Sequence, residues 1–121
     1  MAFTLSYSKE FITWFNEQDK PLQRIVLMHL GLLEEYGPQL SRPYADTLKG
    51  SKLKNLKELR MQYKSNPYRI FYVFDPKRQA IVLVAGNKAS DKKWYDKMIL
   101  KAENLYALHI KALKMEEKDD N

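Results

Sequence analysis

Two rhythms of apolar and polar residues divide this chain. Phe3 to Tyr7 ("FTLSY") alternates apolar and polar positions, as a short half-buried strand does. Ser8 then stands where it can cap a helix carrying Phe11, Ile12, Trp14 and Phe15 on its apolar side. Asp19-Lys20-Pro21 interrupts that helix and restarts the chain, with Pro21 suited to a first helical turn. From Leu22 to Tyr36 the apolar residues Leu22, Ile25, Val26, Leu30 and Leu33 recur at helical spacing, and Gly37-Pro38 stops them. The pattern predicts a helical hairpin with a short connection.

Gln39 to Lys54 reads as a turn-rich connector, and three strands follow it. Asn55–Tyr63 and Tyr68–Asp75 are separated by Lys64-Ser65-Asn66-Pro67; Tyr68–Asp75 and Ala80–Gly86 by Pro76-Lys77-Arg78-Gln79. Links this short, built of turn residues, predict antiparallel hairpins. Asn87–Ser90 reads as a loop, after which Asp91 caps a long helix with Trp94, Met98, Ala102, Leu105, His109 and Ala112 on one face. The order β-α-α-β-β-β-α predicts an α+β domain with helices on one face of a mainly antiparallel sheet. Residues 1–115 form its single domain, and 116–121 a polar tail that frays.

Composition narrows the chemistry. At 121 residues and 45% hydrophobic content the chain supports one core and not two. A net charge of +6 points toward a polyanionic partner, nucleic acid first among them. The absence of cysteine excludes disulfides and thiolate zinc sites. No apolar run has membrane-spanning length and the amino terminus lacks a signal-peptide pattern, so the expectation is a cytoplasmic soluble protein with no membrane partner. There is no Gly-rich phosphate loop, metal-ligand spacing or serine nucleophile motif, and the expectation is neither metal nor cofactor.

The positive charge is concentrated. Between Asp46 and Asp75 stand Lys49, Lys52, Lys54, Lys57, Arg60, Lys64 and Arg69, against the single acid Glu58. Strand alternation puts Leu59 and Met61 on one face with Lys57 and Tyr63, and Glu58 with Arg60 on the other. Arg69 from the next strand, Lys88 from the loop, and Lys92, Lys93 and Tyr95 from the start of the last helix can converge on that second face. A concave cationic surface with one acid and an aromatic suits a phosphodiester. An exposed pairing of Glu58 with Arg60 or Lys57 on a solvated strand accounts for the same spacing, and is worth about 0–1 kcal/mol. His29 and His109 lie on apolar helix faces and read as packed or partner-facing residues rather than catalysts.

The stretch "PYADTLKGSKLKNLKELRMQYKSNPYRIFYVFDPKRQAIVLVAGNKASDKKWYDKMILKAENLY" resembles the RelE/HigB superfamily of type II toxin–antitoxin modules, and within it the phage-derived, Gp49-like HigB branch. The resemblance rests on "LKG", "LKELR", "YRIFYVFD", an apolar strand, then "K" and "WY" entering the last helix. It extends from about Pro21 to about His109. It implies a RelE-like fold and a metal-independent endoribonuclease that cleaves messenger RNA, usually on the ribosome, by attack of the 2′-hydroxyl on the adjacent phosphate. It also implies a neutralising antitoxin, commonly a helix-turn-helix protein of the HigA kind. Arg60 and Arg69 match the family's strand arginines, Lys88 its basic loop residue, and Tyr95 the helix-start tyrosine of RelE. In that chemistry Glu58 is the candidate base for the 2′-proton, Arg60 and Arg69 stabilise the transition state, and Lys88 or Tyr95 protonates the leaving oxygen. Lys57, Lys92 and Lys93 are the candidate RNA contacts. The same fold also serves non-nucleolytic toxins that poison DNA gyrase, and a plain nucleic-acid-binding domain is a further alternative.

Overall fold

A computed structural model describes residues 2–119. Strand β1 (Leu5–Tyr7) leads into helices α1 (Lys9–Asn16) and α2 (Lys20–Tyr36); strands β2 (Ala45–Thr47), β3 (Lys57–Tyr63), β4 (Asn66–Phe74) and β5 (Ala80–Asn87) follow, and helix α3 (Trp94–Asp119) closes the chain. Two of the three expected capping residues cap their helices; the third, Asp91, lies in the turn ahead of α3 and accepts the Lys93 N–H there. Ser8 Oγ accepts from the Phe11 N–H at 3.0 Å and Asp19 Oδ1 from the Leu22 N–H at 3.0 Å. The latter bond, with the Tyr63 hydroxyl behind it, holds the Asp19 carboxyl below the usual carboxylate range. Gly37 ends α2 at φ 54°, where a side chain would be strained and would run into the Phe3 ring.

The sheet runs β1-β5-β4-β3-β2; β1 is parallel to β5 and every other neighbour pair is antiparallel. The β3–β4 turn is tighter than the pattern suggested. Lys64 and Ser65 alone make it, at φ 50° and 64°, the left-handed pair that matches strand twist, and Asn66-Pro67 already belong to β4. Strand β2 lies inside the stretch read as a connector. Its three residues are too few to show alternation, and pairing with β3 is what makes it a strand.

Both sheet faces are covered, which corrects the expectation of helices on one side. Leu59, Met61, Ile70, Tyr72, Val82 and Ala85 pack under Phe11 of α1 and Leu22, Val26, Leu30 and Leu33 of α2. Phe71, Val73, Ile81, Leu83 and Val84 pack under Trp94 and Ala102 of α3. A bulge serves this division: Phe71 pairs with Val84 and Tyr72 with Val82, so Leu83 is the extra residue and joins Val84 on the α3 face. Its carbonyl accepts the Ser8 hydroxyl at 2.5 Å, tying α1 to the sheet.

The far half of α3 is pinned by a buried acid. Asp75 Oδ2 lies 2.9 Å from His109 Nε2, and Oδ1 accepts the Gln79 N–H at 2.9 Å. Burial pushes the Asp75 carboxyl up, but the His109 ring and the Gln79 N–H outweigh it and leave it below the ordinary range. The polar residues 116–119 continue α3; the remaining two of the predicted tail, 120 and 121, lie outside the described residues. Among the described residues no helix is long and apolar enough to cross a membrane.

Candidate active site

Cross-strand register builds the site. Arg60 of β3 sits directly opposite Arg69 of β4, and Arg69 opposite Gly86 of β5. Two like charges face to face weaken a ladder unless something lies between them. Here Glu58 does, two residues before Arg60 on the same face. Its Oε2 accepts from Arg60 Nη1 at 2.7 Å, and its Oε1 stands 3.5 Å from Arg69 Nε. The sequence placed Glu58 on an open face. In the fold it is 4% exposed, because α3 begins above it.

Helix α3 closes the cluster with Tyr95, whose hydroxyl donates to Glu58 Oε1 at 2.6 Å. Asp91 starts this turn, its carboxylate accepting the Lys93 N–H and its carbonyl the Trp94 N–H. Trp94 meets Phe71 edge-on at 5.4 Å, and the Tyr95 ring stacks on Phe71 at 5.8 Å. Gly86 makes room for this seat: a Cβ there would meet the Trp94 indole at 3.1 Å. Burial first, and the hydrogen bond to Glu58 second, raise the Tyr95 phenol above its ordinary value, so it stays protonated at neutral pH.

The cluster is unevenly satisfied. Arg69 is 3% exposed; its Nη1 donates to the Tyr68 carbonyl at 3.0 Å, yet its Nε has no well-aligned acceptor, Glu58 being within ion-pair range but beyond a good hydrogen bond. The Arg60 side chain keeps 24% of its surface in solvent. An open cleft of about 560 Å³ begins at these two arginines and is lined further by Arg42, Pro43, Met61 and Gln62. Two guanidinium groups at the mouth of a cleft, one rigid and one free to turn, can hold a phosphate and its developing negative charge.

The other expected residues divide. Lys88 is half-buried, with its ammonium 5.9 Å above the Tyr95 ring, and so adjoins the cluster. Lys92 and Lys93 are exposed on the turn just before Trp94. Lys57 departs from the cluster. Strand parity turns it to the face opposite Glu58, where it lines a separate hollow with Asp46 and Thr47. Lys49, Lys52, Lys54 and Lys64 are exposed, so of the seven cations only Arg60 and Arg69 contact Glu58. Arg42 and Gln62 on the cleft were not singled out from the sequence. Arg42 sits in a connector without periodicity, and Gln62 reads as an ordinary polar strand position. The histidines are packed, as expected: His29 Nδ1 lies 2.8 Å from the Ile25 carbonyl, and His109 meets Asp75.

Comparison with known proteins bears on this geometry. The family described as phage-derived protein Gp49-like matches residues 13–107. The putative toxin HigB2 of Mycobacterium tuberculosis is 43% identical over 99 residues, covering 80% of this chain; the chain spans about half, 49%, of that relative's length. The putative toxin HigB3 of the same organism is 42% identical over 87 residues, 71% of this chain and 75% of the relative. Among solved structures, a mutant of the E. coli toxin RelE in the free state superposes with a TM-score of 0.59 at 14% identity, covering 86% of this chain and 97% of that one. A chain of the archaeal RelE–RelB complex from Pyrococcus horikoshii superposes with a TM-score of 0.59 at 19% identity, covering 75% of this chain and 100% of that one. At these identities the structural likeness concerns the fold.

Proposed function

Because the chain belongs to the phage-derived Gp49-like family, within the RelE/HigB superfamily, we propose that it is the toxin of a type II toxin–antitoxin module and cleaves messenger RNA. The observation that carries the nuclease reading is the cluster of Glu58, Arg60, Arg69 and Tyr95 around one buried carboxylate. A buried acid that leaves one arginine solvated and another short of an acceptor is poorly explained by stability alone.

In this reading a phosphate of the message enters between Arg60 and Arg69. It competes with Glu58 for Arg60, the more exposed of the two. When Arg60 turns to the phosphate, Glu58 Oε2 is freed to take the 2′-proton, so base availability is coupled to substrate binding. The 2′-oxygen then attacks phosphorus and the P–O5′ bond breaks. The 2′-proton resides on Glu58, and Lys88 or Tyr95 supplies a proton to the 5′-oxygen. The products are a 2′,3′-cyclic phosphate and a 5′-hydroxyl, and no metal takes part. The arginines oppose the charge on the phosphorane, a kind of contact worth about 3–4 kcal/mol each. Lys92 and Lys93 hold flanking phosphates. The ribosome presents and orients the message, and a helix-turn-helix antitoxin of the HigA kind neutralises the toxin in the cytoplasm. Relatives in this fold class are known in complex with their antitoxins, among them the RelBE2 pair of M. tuberculosis.

Mapping message ends after a brief induction in cells tests the reading. New 5′-hydroxyl ends inside translated frames are the expected result. Intact messages with damaged DNA would assign the chain to the gyrase poisons instead.

A further inference from the structure

The cleft does not end at the cluster. Strand β2 covers β3 only from Lys57 to Leu59, with one more bond from the Arg60 N–H to the Tyr44 carbonyl. Beyond that point no strand among the described residues lies along the outer edge of β3, and the cleft opens there between Gln62 and the Arg42-Pro43 segment. Among the described residues its lining holds three arginines, Arg42, Arg60 and Arg69, and no carboxylate. The third guanidinium comes from a different part of the chain. Its acidic contact among the described residues is Asp46, whose side chain is 39% exposed, at 2.8 Å from Nη2. A carboxylate so placed in solvent competes weakly with a dianionic or bridging phosphate for a planar guanidinium. Gln62 is exposed on the same face as Arg60, with an amide that can both donate and accept.

Resting on the ribonuclease reading above, we propose that this outer half of the cleft is a subsite for the nucleotide flanking the scissile bond. Arg42 leaves Asp46 to bind that nucleotide's phosphate, Pro43 gives its base an apolar wall, and Gln62 hydrogen-bonds the base edge. Arg42 therefore sets affinity and Gln62 sets sequence preference. Neither takes part in the bond-breaking step, which belongs to the cluster at the inner end.

The test follows cleavage of a translating message in a purified translation mixture by the parent chain and by Arg42→Ala, Asp46→Ala and Gln62→Ala. Arg42→Ala is expected to raise KM about tenfold, the loss of one charge-assisted phosphate contact, with kcat within about twofold. Asp46→Ala removes the same ion pair but keeps the arginine, and is expected to leave KM unchanged or lower it. Gln62→Ala is expected to flatten the base preference beside the cut, lowering kcat/KM on the preferred sequence toward that on the others. The proposal is overturned if Asp46→Ala reproduces the Arg42→Ala defect, since the pair is then merely structural. It is equally overturned if Arg42→Ala and Gln62→Ala cut as the parent does, and weakened antitoxin binding in those variants would then mark the cleft as a protein contact. A parent chain that cuts no message overturns the nuclease reading itself, and the subsite with it.

Discussion

Among the described residues two carboxylates are buried, and they are treated in opposite ways. Asp75, at one end of the β4–β5 ladder, is closed on every side. Its oxygens take up the Gln79 N–H, the Gln79 side-chain amide and the His109 ring. Glu58, on the neighbouring strand opposite Phe71, gathers Arg60, Tyr95 and Arg69, but one of these arginines reaches into solvent and the other keeps an unsatisfied Nε. The first arrangement fastens α3 and the turn after β4 to the sheet. The second leaves a solvated guanidinium and an unpaired Nε, which the proposed function assigns to a phosphate from outside the chain. A buried charge whose partners are all inside the fold signals architecture; one whose partners are left short signals a ligand.

Breaking the open cluster has the largest expected effect. Arg69→Ala should lower message cleavage by about 10²–10³, as loss of a preorganised cation opposite a developing oxyanion does, while circular dichroism shows the parental fold. Parental cleavage by this variant would remove the site assignment.

Breaking the closed cluster should do the reverse. Asp75→Ala leaves the Gln79 donors and His109 without their acceptor and is expected to cost roughly 3 kcal/mol in urea unfolding. Cleavage measured where the protein remains folded should stay near parental. The same acid gives a pH signature. Its folded carboxyl titrates below the unfolded value of 3.8, so its contribution is complete above that pH and is lost as pH falls through the folded value. Asp75→Asn should flatten this acid limb of the stability curve.

Tyr95→Phe sharpens the contrast, because it keeps the ring stacked on Phe71 and removes only the bond to Glu58. A stability change of about 1 kcal/mol is expected. Cleavage should fall by about tenfold if the hydroxyl orients Glu58 or feeds the leaving oxygen, and stay parental if it does neither. The smallest effect is expected at Lys57. It stands on the face away from Glu58, so Lys57→Ala should leave cleavage within about twofold of parental, whereas Lys93→Ala should weaken RNA binding and reduce its salt dependence by about 0.7 of a unit in log–log slope.

Much of the fold was legible because it is written in local terms. Ser8, Asp19, Pro21 and Gly37 mark helix ends through their own side chains or backbone freedom, and the apolar spacing of Leu22 to Leu33 names a buried face. Glu58 and Arg60 are two residues apart on one strand, so the alternation of a strand put them together. Arg69, Lys88 and Tyr95 were placed near that face by their positions in the chain, the family likeness matched them to roles, and the fold brings all three to or beside Glu58. Strand β2 escaped notice because three residues carry no period, and the second helical layer because Trp94 and Ala102 mark an apolar stripe without saying which sheet face it covers.

By itself the sequence determined the elements, their caps, the pairing of consecutive strands and the surplus of positive charge, since each depends on residues near one another in the chain. Only the tertiary structure decided which of those charges meet. Arg60 faces Arg69 through the β3–β4 register; Tyr95 reaches Glu58 across 37 positions because α3 lies over the second face; Arg42 joins the cleft where β2 stops short; and Lys57, one residue from Glu58, is turned away by the alternation of the strand. Register and layer order are properties of long-range packing, and a charge pattern read along the chain carries neither.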